Sequence, residues 1–229
     1  MTENPTGAAS VTVAPTIDEI TLADDPSRWE ALGFTTSDGA VQLGAVRLAL
    51  AGRDAGRGIL GWSLRGIASS ELDGLPTTYS DRPPPTAGPD HPNGVMAIDH
   101  VVAFSPALDR SVRTLRSARL DLRRIREQPT PAGAPRQAFF RLGEVILEVV
   151  QEPEEVMEQR SAGANGPARF WGLALLASDL DRTVAQLAEH ASEIRPAVQP
   201  GRRIATLRRS SGLAAPIALM SRTEGSREA

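Results

Sequence analysis

The spacing of apolar and polar positions between residues 97 and 151 predicts a strand, a helix and three further strands. The first stretch, AIDHVVAF, is apolar except for Asp99 and His100, which is typical of a strand. In SPALDRSVRTLRSA, Ser105 is a suitable helix cap and Pro106 suits the first helical position. Apolar residues then follow at helical spacing: Leu108, Val112, Leu115 and Ala118. LDLRRIRE and the run 136–151 are rich in β-branched and aromatic residues, which favours strands.

Parts of this pattern recur earlier and later in the chain. TIDEITLADDPSRWEALGF aligns with AIDHVVAFSPALDRSVRTL and places Glu19 at the position of His100. QLGAVRLALAG aligns with RLGEVILEVVQ and places Ala49 opposite Glu148. GWSLRGIASSELDGL, in the first half, likewise matches FWGLALLASDLDRTV near the end. Because such self-similarity indicates repeated structural units, we interpret the chain as a series of strand–helix–strand modules.

The order of elements, with DHVV in the first strand and LEVV in the last, resembles the vicinal oxygen chelate superfamily of glyoxalases, extradiol dioxygenases and bleomycin-resistance proteins. The resemblance implies paired βαβββ modules whose sheets curl into a cup, with metal ligands on the first and last strands of each module. His100 and Glu148 match two ligand positions, whereas Gly172 and Ala218 stand at the matching positions of the last module. The superfamily hosts lyases, epimerases, dioxygenases and non-catalytic binders, so the fold alone selects no activity.

The resemblance and the repeats together predict an α+β fold of repeated βαβββ modules that form a curled, mixed β-sheet cup flanked by helices. Residues 16–80 are interpreted as a degenerate, truncated module pair and residues 96–222 as the complete cup. Five prolines between Pro83 and Pro92 exclude a helix or an interior strand, so residues 81–95 are predicted to form a linker. Residues 1–15 and 223–229 are predicted to be polar tails.

Composition excludes several kinds of chemistry. The chain has no cysteine and no lysine, so disulfides, thiolate ligands and lysine Schiff bases are impossible. A formal net charge of −3 gives no electrostatic footprint for nucleic acid. No stretch approaches the roughly 18 apolar residues of a membrane span, and the N-terminus lacks a secretory pattern. We therefore expect a cytoplasmic protein that partners neither nucleic acid nor membrane.

The candidate metal ligands are His100 and Glu148, with Glu19 as a third if the N-terminal module faces the central one. Gln151 and Gln199, which are near candidate strand ends, are further residues that could complete the set. The resemblance implies one divalent ion of iron, manganese, nickel or zinc. Alternatively, His100 is a half-buried histidine that is hydrogen-bonded to Glu148. In either case the carboxylate needs a cationic, metallic or protonated neighbour, because it lies in a core-like strand. Asp99 is expected on the opposite side of the sheet, and His91 at the surface.

Candidate substrate-binding residues come from two stretches. In VQPGRRIATLRRS, strict strand alternation places Arg203 and Arg209 on one face, where their guanidinium groups could bind an anion in the cup. A solvated, charged edge strand is the alternative. Arg136, Gln137 and Arg141 form a smaller set of the same kind in the central module. Phe139 and Phe140 point to opposite faces, so one of them is expected to line the cup, and Phe139 is the candidate.

Two functional hypotheses follow. In the first, the 97–221 cup binds a small anionic organic molecule, and His100 and Glu148 are the catalytic pair of an isomerase, lyase or dioxygenase, either as metal ligands or in proton transfer. In the second, the protein is a metal-free binder that sequesters a small molecule. The resemblance also predicts a homodimer, and the degenerate N-terminal pair could cover the cup or mediate the dimer.

Overall fold

The computed structural model describes residues 14–85, 88–130, 133, 135–158 and 163–223. The predicted tails lie almost wholly outside these residues. The N-terminal part forms a six-stranded sheet in the order β2-β3-β4-β1-β5-β6. Its elements are β1 (Thr16–Leu22), α1 (Pro26–Ala31), β2 (Thr36–Ser37), β3 (Ala40–Leu43), β4 (Val46–Leu50), β5 (Ile59–Arg65) and β6 (Thr77–Tyr79).

The rest of the described chain forms an eight-stranded sheet in the order β12-β13-β14-β11-β7-β10-β9-β8. Its first module contains β7 (Val95–Ser105), α2 (Leu108–Ser117), β8 (Asp121–Arg126), β9 (Gln137–Leu142) and β10 (Val145–Gln151). After α3 (Glu154–Glu158) come β11 (Arg169–Ala177), α4 (Leu180–Leu187), β12 (Arg195–Pro196), β13 (Arg203–Thr206) and β14 (Ile217–Met220). The predicted α+β class and the βαβββ order are confirmed.

The leading strands of the two modules lie side by side at the centre of this sheet. β7 pairs antiparallel with β11 and parallel with β10. The other strands of each module therefore extend from this central pair toward opposite edges of the sheet. The N-terminal sheet repeats this arrangement, because β1 pairs antiparallel with β5 and parallel with β4. A single cluster of buried apolar side chains includes members of both sheets, and the rings of Trp62 and Phe170 meet edge to face across them at 5.0 Å.

Strand alternation in β10 decides which side chains face the helices. Helix α2 packs against β8, β9 and β10. The fully buried residues of β10 on this side are Val145, Leu147 and Val149. Because successive side chains of a strand point to opposite faces, Ile146 and Glu148 point away from α2. Glu148 thus belongs to the face that the helices leave open.

The predicted start of helix α2 at Ser105 and Pro106 is wrong. Helix α2 has Ala107 as its N-cap. Ser105 instead ends β7, and its hydroxyl oxygen accepts the N–H of Ala107 at 3.0 Å, so it caps the turn before the helix. At α4 the carboxylate of Asp179 accepts the N–H of Arg182 at 3.1 Å, as a helix cap should.

No helix in the described ranges is long and apolar enough to cross a membrane.

The expectation that His91 lies at the surface is wrong, because its side chain is only 6% exposed. Its Nδ1 accepts the backbone N–H of Thr35 at 3.1 Å, and its Nε2 lies 3.0 Å from the carbonyl oxygen of Gln42, to which it donates. Burial lowers the pKa of His91 despite the hydrogen bond to Gln42. The neutral imidazole therefore ties the second half of segment 81–95 to the N-terminal sheet.

Candidate functional site

A cavity of about 610 Å³ opens on the face of the eight-stranded sheet that points away from α2. Its polar lining includes His100, Arg124, Arg126, Gln137, Glu148 and Gln199. Its apolar lining includes Phe139, Val198, Ile204 and Met220. A smaller cavity of about 290 Å³ shares part of this lining and adds Asp99 and Arg202. We call the two together the cup.

A β-bulge in β7 brings Asp99 to the same side as His100. Ala174 of β11 pairs with His100, but the next residue, Leu175, pairs with Ile98, so Asp99 is an extra residue in the ladder. A bulge of this kind interrupts the alternation of side chains. His100 Nδ1 consequently lies 2.8 Å from Asp99 Oδ2. The prediction that Asp99 faces the opposite side of the sheet is wrong for this reason.

Arg202 fixes Asp99 from the other side. Its two terminal nitrogens donate to the two carboxylate oxygens at 2.6 and 3.1 Å, and its Nε donates to the carbonyl oxygen of Ser221 at 2.9 Å. Burial raises the pKa of Asp99, but the hydrogen bonds from His100 and Arg202 outweigh it and hold that pKa below its usual value. Because Asp99 is an ionised acceptor, it holds the proton of His100 on Nδ1 and leaves Nε2 to face the cup.

Glu148 lies opposite that nitrogen. Ile146 pairs with His100 and Glu148 pairs with Val102, so His100 and Glu148 are diagonal neighbours on adjacent strands. His100 Nε2 is 3.6 Å from Glu148 Oε2, which is longer than a hydrogen bond. The two groups therefore face each other across a gap at the bottom of the cup, where both can contact a bound molecule.

The environment of Glu148 is unusual for a carboxylate. Burial raises the pKa of Glu148, although His100, Gln137, Arg124 and Arg126 each oppose the rise. The amide nitrogen of Gln137 donates to Glu148 Oε1. The amide oxygen of Gln137 is buried and has no hydrogen-bond partner within the described structure. A carboxyl group with a raised pKa in a cavity is suited to accepting and returning a proton.

The structure places only part of the predicted set in the cup. Phe139 lines it together with His100 and Glu148. Arg141 turns back along its own hairpin, where its Nε donates to the carbonyl oxygen of Gly143 at 2.8 Å, and it is absent from the lining of both cavities.

Arg203 and Arg209 also lie outside the cup. Arg203 forms a two-pronged ion pair with Asp181 of α4 at 2.6 and 3.0 Å. Arg209 is exposed in a short 3-10 turn beyond β13. The prediction assumed one strand running through both residues, but β13 has only 4 residues and starts at Arg203. The neighbouring Arg202 is the arginine of this stretch that reaches the cup.

Glu19 does not join His100 and Glu148. It lies on β1 of the other sheet, where it pairs with Arg47 at 2.6 Å and with Arg82 at 3.1 Å. Among the residues that the structure describes, no three or more His, Cys, Asp or Glu side chains are placed to hold a metal ion. The predicted His100–Glu148–Glu19 ligand set is therefore wrong.

The last module does not supply the missing ligands either. Gly172 and Ala218 carry no donor atoms on their side chains. A Cβ atom at Gly172 would overlap the carbonyl oxygen of Pro216, so the backbone leaves no room for a ligand side chain there. Two facing side chains, with no third His, Cys, Asp or Glu grouped with them among the described residues, do not fit the ligand sets that hold divalent ions.

Sequence reasoning missed three kinds of residue in the cup. Arg124 and Arg126 are two positions apart in β8 and both line the cavity, which their alternation in LDLRRIRE could have indicated. The sequence signal for Asp99 is the recurrence of an aspartate at the same position in TIDE and AIDH. The equivalent residue in TIDE is Asp18, which also occupies a bulge, in β1, and binds Arg65. No sequence pattern pointed to the contact with Arg202, since a bulge and a loop create it.

No protein-family model and no curated protein matches the chain. Among solved structures, a xylose isomerase-like TIM barrel/4-hydroxyphenylpyruvate dioxygenase fusion protein aligns over 99% of this chain and 52% of its own, with a TM-score of 0.58 and 12% identity. Methylmalonyl-CoA epimerase from Mycobacterium tuberculosis aligns over 60% of this chain and 91% of its own, with a TM-score of 0.45 and 16% identity.

The likeness to the fusion protein includes both sheets, and this chain spans about half of that protein's length. At this level of identity it shows the fold alone. The chain has the vicinal oxygen chelate fold, which confirms the resemblance seen in the sequence.

Proposed function

We propose that the cup binds a small anionic organic molecule and that Glu148 and His100 transfer a proton at a carbon next to its carbonyl group. The reaction class is that of an isomerase, epimerase or proton-abstracting lyase. The observation that carries the proposal is the chain of contacts from Asp99 through His100 to the gap in front of Glu148. Pairs of titratable groups with different environments are typical of acid–base catalysis.

The proposed step uses only side chains of the cup. The ionised Glu148 takes the proton from the carbon, the C–H electron pair becomes the new C=C bond, and the carbonyl π electrons move to oxygen. A protonated His100 donates its Nε2 hydrogen to that oxygen, which gives an enol. Return of the proton from Glu148 to the same face of the carbon, while the enol oxygen gives its proton back to Nε2 of His100 and the C=O bond re-forms, yields the starting compound; protonation of the opposite face by water instead yields its epimer.

Asp99 and Arg202 have supporting roles in this scheme. Asp99 accepts the Nδ1 hydrogen of His100 at 2.8 Å and so directs Nε2, the nitrogen that donates in this scheme, at the cup. Arg202 fixes Asp99 with two hydrogen bonds, so the imidazole ring keeps one orientation. Such positioning by a second carboxylate is a common device for orienting a catalytic histidine.

Exchange of carbon-bound hydrogen for deuterium tests the proposal without knowledge of the natural substrate. Small oxo acids, 2-oxohexanoate among them, are incubated in D₂O with the protein, and loss of the proton signal beside the carbonyl is followed by NMR. We expect exchange that falls at least about a hundredfold in Glu148→Gln, as removal of a general base predicts. Glu155→Gln, an exposed change on α3, is the matched control and should retain the full rate.

A second candidate function is sequestration without chemistry. The absence of donor side chains at Gly172 and Ala218 favours it, because the last module contributes no chemically active group at these two positions. In the same NMR samples, ligand signals that broaden or shift on binding, with exchange as slow as in Glu148→Gln, would support the binder and contradict the proton-transfer proposal.

A further inference from the structure

Two arginines on one wall of the cup have no ion-pair partner in the part of the chain that the structure describes. Arg124 and Arg126 lie two positions apart on β8, so their side chains share a face, and both line the cavity. Their neighbours differ: Arg123 pairs with Asp121, and Arg136 pairs with Asp109 and Glu127. Two unpaired guanidinium groups in one cavity form a site for an anion.

Arg124 is held in a particular orientation. Its guanidinium carbon lies 4.6 Å from the centre of the Phe139 ring, and stacking on an aromatic face leaves the N–H edges of the group free. Phe139 pairs with Glu148 across β9 and β10. The guanidinium charge of Arg124 therefore lies over β9 rather than over β8. The strand β9 is one strand spacing, roughly 5 Å, from β10, which carries Glu148. A carboxylate bound there lies beside the proton-transfer pair.

The opposite wall of the cup is apolar. Val198, in the segment before β13, is 57% exposed and lines the cavity together with Ile204 and Met220. A large apolar side chain left open at the mouth of a cavity gains from being covered by a hydrocarbon group. The cup thus has a cationic wall on β8 and an apolar wall on β13, β14 and the segment before them.

We propose that the cup selects amphipathic carboxylic acids, with the carboxylate on Arg124 and Arg126 and the hydrocarbon chain against Val198, Ile204 and Met220. Combined with the proposed function, on which this part rests, the substrate class is an oxo acid with a hydrocarbon tail. Neutral molecules of the same shape give neither guanidinium group a direct ion-pair partner and bind weakly.

Titration calorimetry with butyrate, hexanoate, octanoate and the neutral hexanamide tests the site. We expect the dissociation constant to fall about fourfold for each added methylene, and hexanamide to bind at least tenfold more weakly than hexanoate. Arg124→Gln and Arg126→Gln should each weaken hexanoate at least tenfold, as loss of a charge-assisted pair predicts. Arg113→Gln, an exposed change on α2, should not. Val198→Ser should reduce the dependence on chain length.

Absence of hexanoate binding would overturn the proposal, as would equal binding of hexanoate and hexanamide. Unchanged affinity in both cup-arginine variants, with normal circular dichroism, would also overturn it.

The variant Glu148→Gln separates this site from the proposed chemistry. The variant lacks a negative charge near the bound anion, so it should bind hexanoate at least as tightly as the wild type. Hexanoate binding without exchange of any oxo acid would overturn the proton transfer alone, whereas exchange that is unaffected by Arg124→Gln and Arg126→Gln would overturn the anion site alone.

Discussion

Asp99 and His100 are consecutive residues of one strand, yet their side chains form a 2.8 Å hydrogen bond on the same side of the sheet. The bulge between Ile98 and His100 makes this possible. It converts a strand position that would face the helices into one that orients the imidazole of His100. The acid–base character of the cup therefore depends on a local irregularity of the backbone.

Replacing Asp99 with Asn should distinguish a role in orienting the imidazole of His100 from a role in binding the substrate. The guanidinium of Arg202 stays largely buried but loses its charged partner, so we expect the free energy of unfolding to fall by about 2 kcal/mol. Exchange of oxo acids should fall in kcat with little change in KM, because the imidazole tautomer is no longer fixed. Urea denaturation and ¹⁵N NMR of the imidazole check the two effects. Asp181→Asn, at an exposed ion pair, should lower the free energy of unfolding by much less than Asp99→Asn, because solvent screens an exposed pair.

Glu148→Gln should make the protein more stable at pH 8. Because burial raises the pKa of Glu148, ionisation of this group favours the unfolded chain. This destabilisation is absent below pH 4.5, the ordinary pKa of a glutamate, because Glu148 is then protonated in both the folded and the unfolded chain. It grows as the pH rises through the raised pKa of the folded protein. The stability advantage of the variant should therefore increase from pH 4 to pH 8 in urea denaturation. A constant difference, or a destabilised variant at pH 8, would contradict the raised pKa.

His91 should make the fold sensitive to mild acid. Its pKa is lowered by burial, so the stabilisation by the neutral ring is complete above the unfolded value near 6.5 and is lost as the pH falls through the lowered folded pKa. At pH 7.5, His91→Gln should cost about 1–3 kcal/mol through the unsatisfied N–H of Thr35. In thermal unfolding this difference should shrink toward pH 5.

Removal of divalent metal should leave the protein unchanged. His100 and Glu148 face each other in the cup, and no third His, Cys, Asp or Glu among the described residues joins them in a set that could hold a metal ion. We therefore expect no stoichiometric iron, manganese, nickel or zinc after dialysis against each ion, and no effect of a chelator on melting temperature or on oxo-acid exchange. A stoichiometric ion that disappears in Glu148→Gln would overturn this account of the cup.

The fold was predictable because it rests on periodicity and repetition. Helical spacing in residues 108–118 and the repeat of TIDE as AIDH are properties of the sequence alone, and they lead to paired modules. The resemblance of DHVV and LEVV to the first and last strands of a vicinal oxygen chelate module led to the pairing of His100 with Glu148, and both line one cavity. Both features depend on local spacing, which survives divergence better than individual contacts do.

The errors arose where backbone irregularity overrides alternation. The bulge at Asp99 and the short strand that starts at Arg203 each shift which side chain faces the cup, so Arg202 lies there in place of Arg203. The burial of His91 depends on contacts with residues about fifty positions away, which no local pattern encodes. Assembly as a homodimer and a cytoplasmic location stay predictions from the sequence.

The rate of deuterium incorporation beside the carbonyl of 2-oxohexanoate, compared between the wild type and Glu148→Gln at pH 7.5, tests the central claim most directly. If Glu148 and His100 form a proton-transfer pair, the wild type catalyses the exchange and the variant is slower by at least about a hundredfold, while still binding hexanoate. Equal exchange rates in the two proteins, with binding intact, would contradict it.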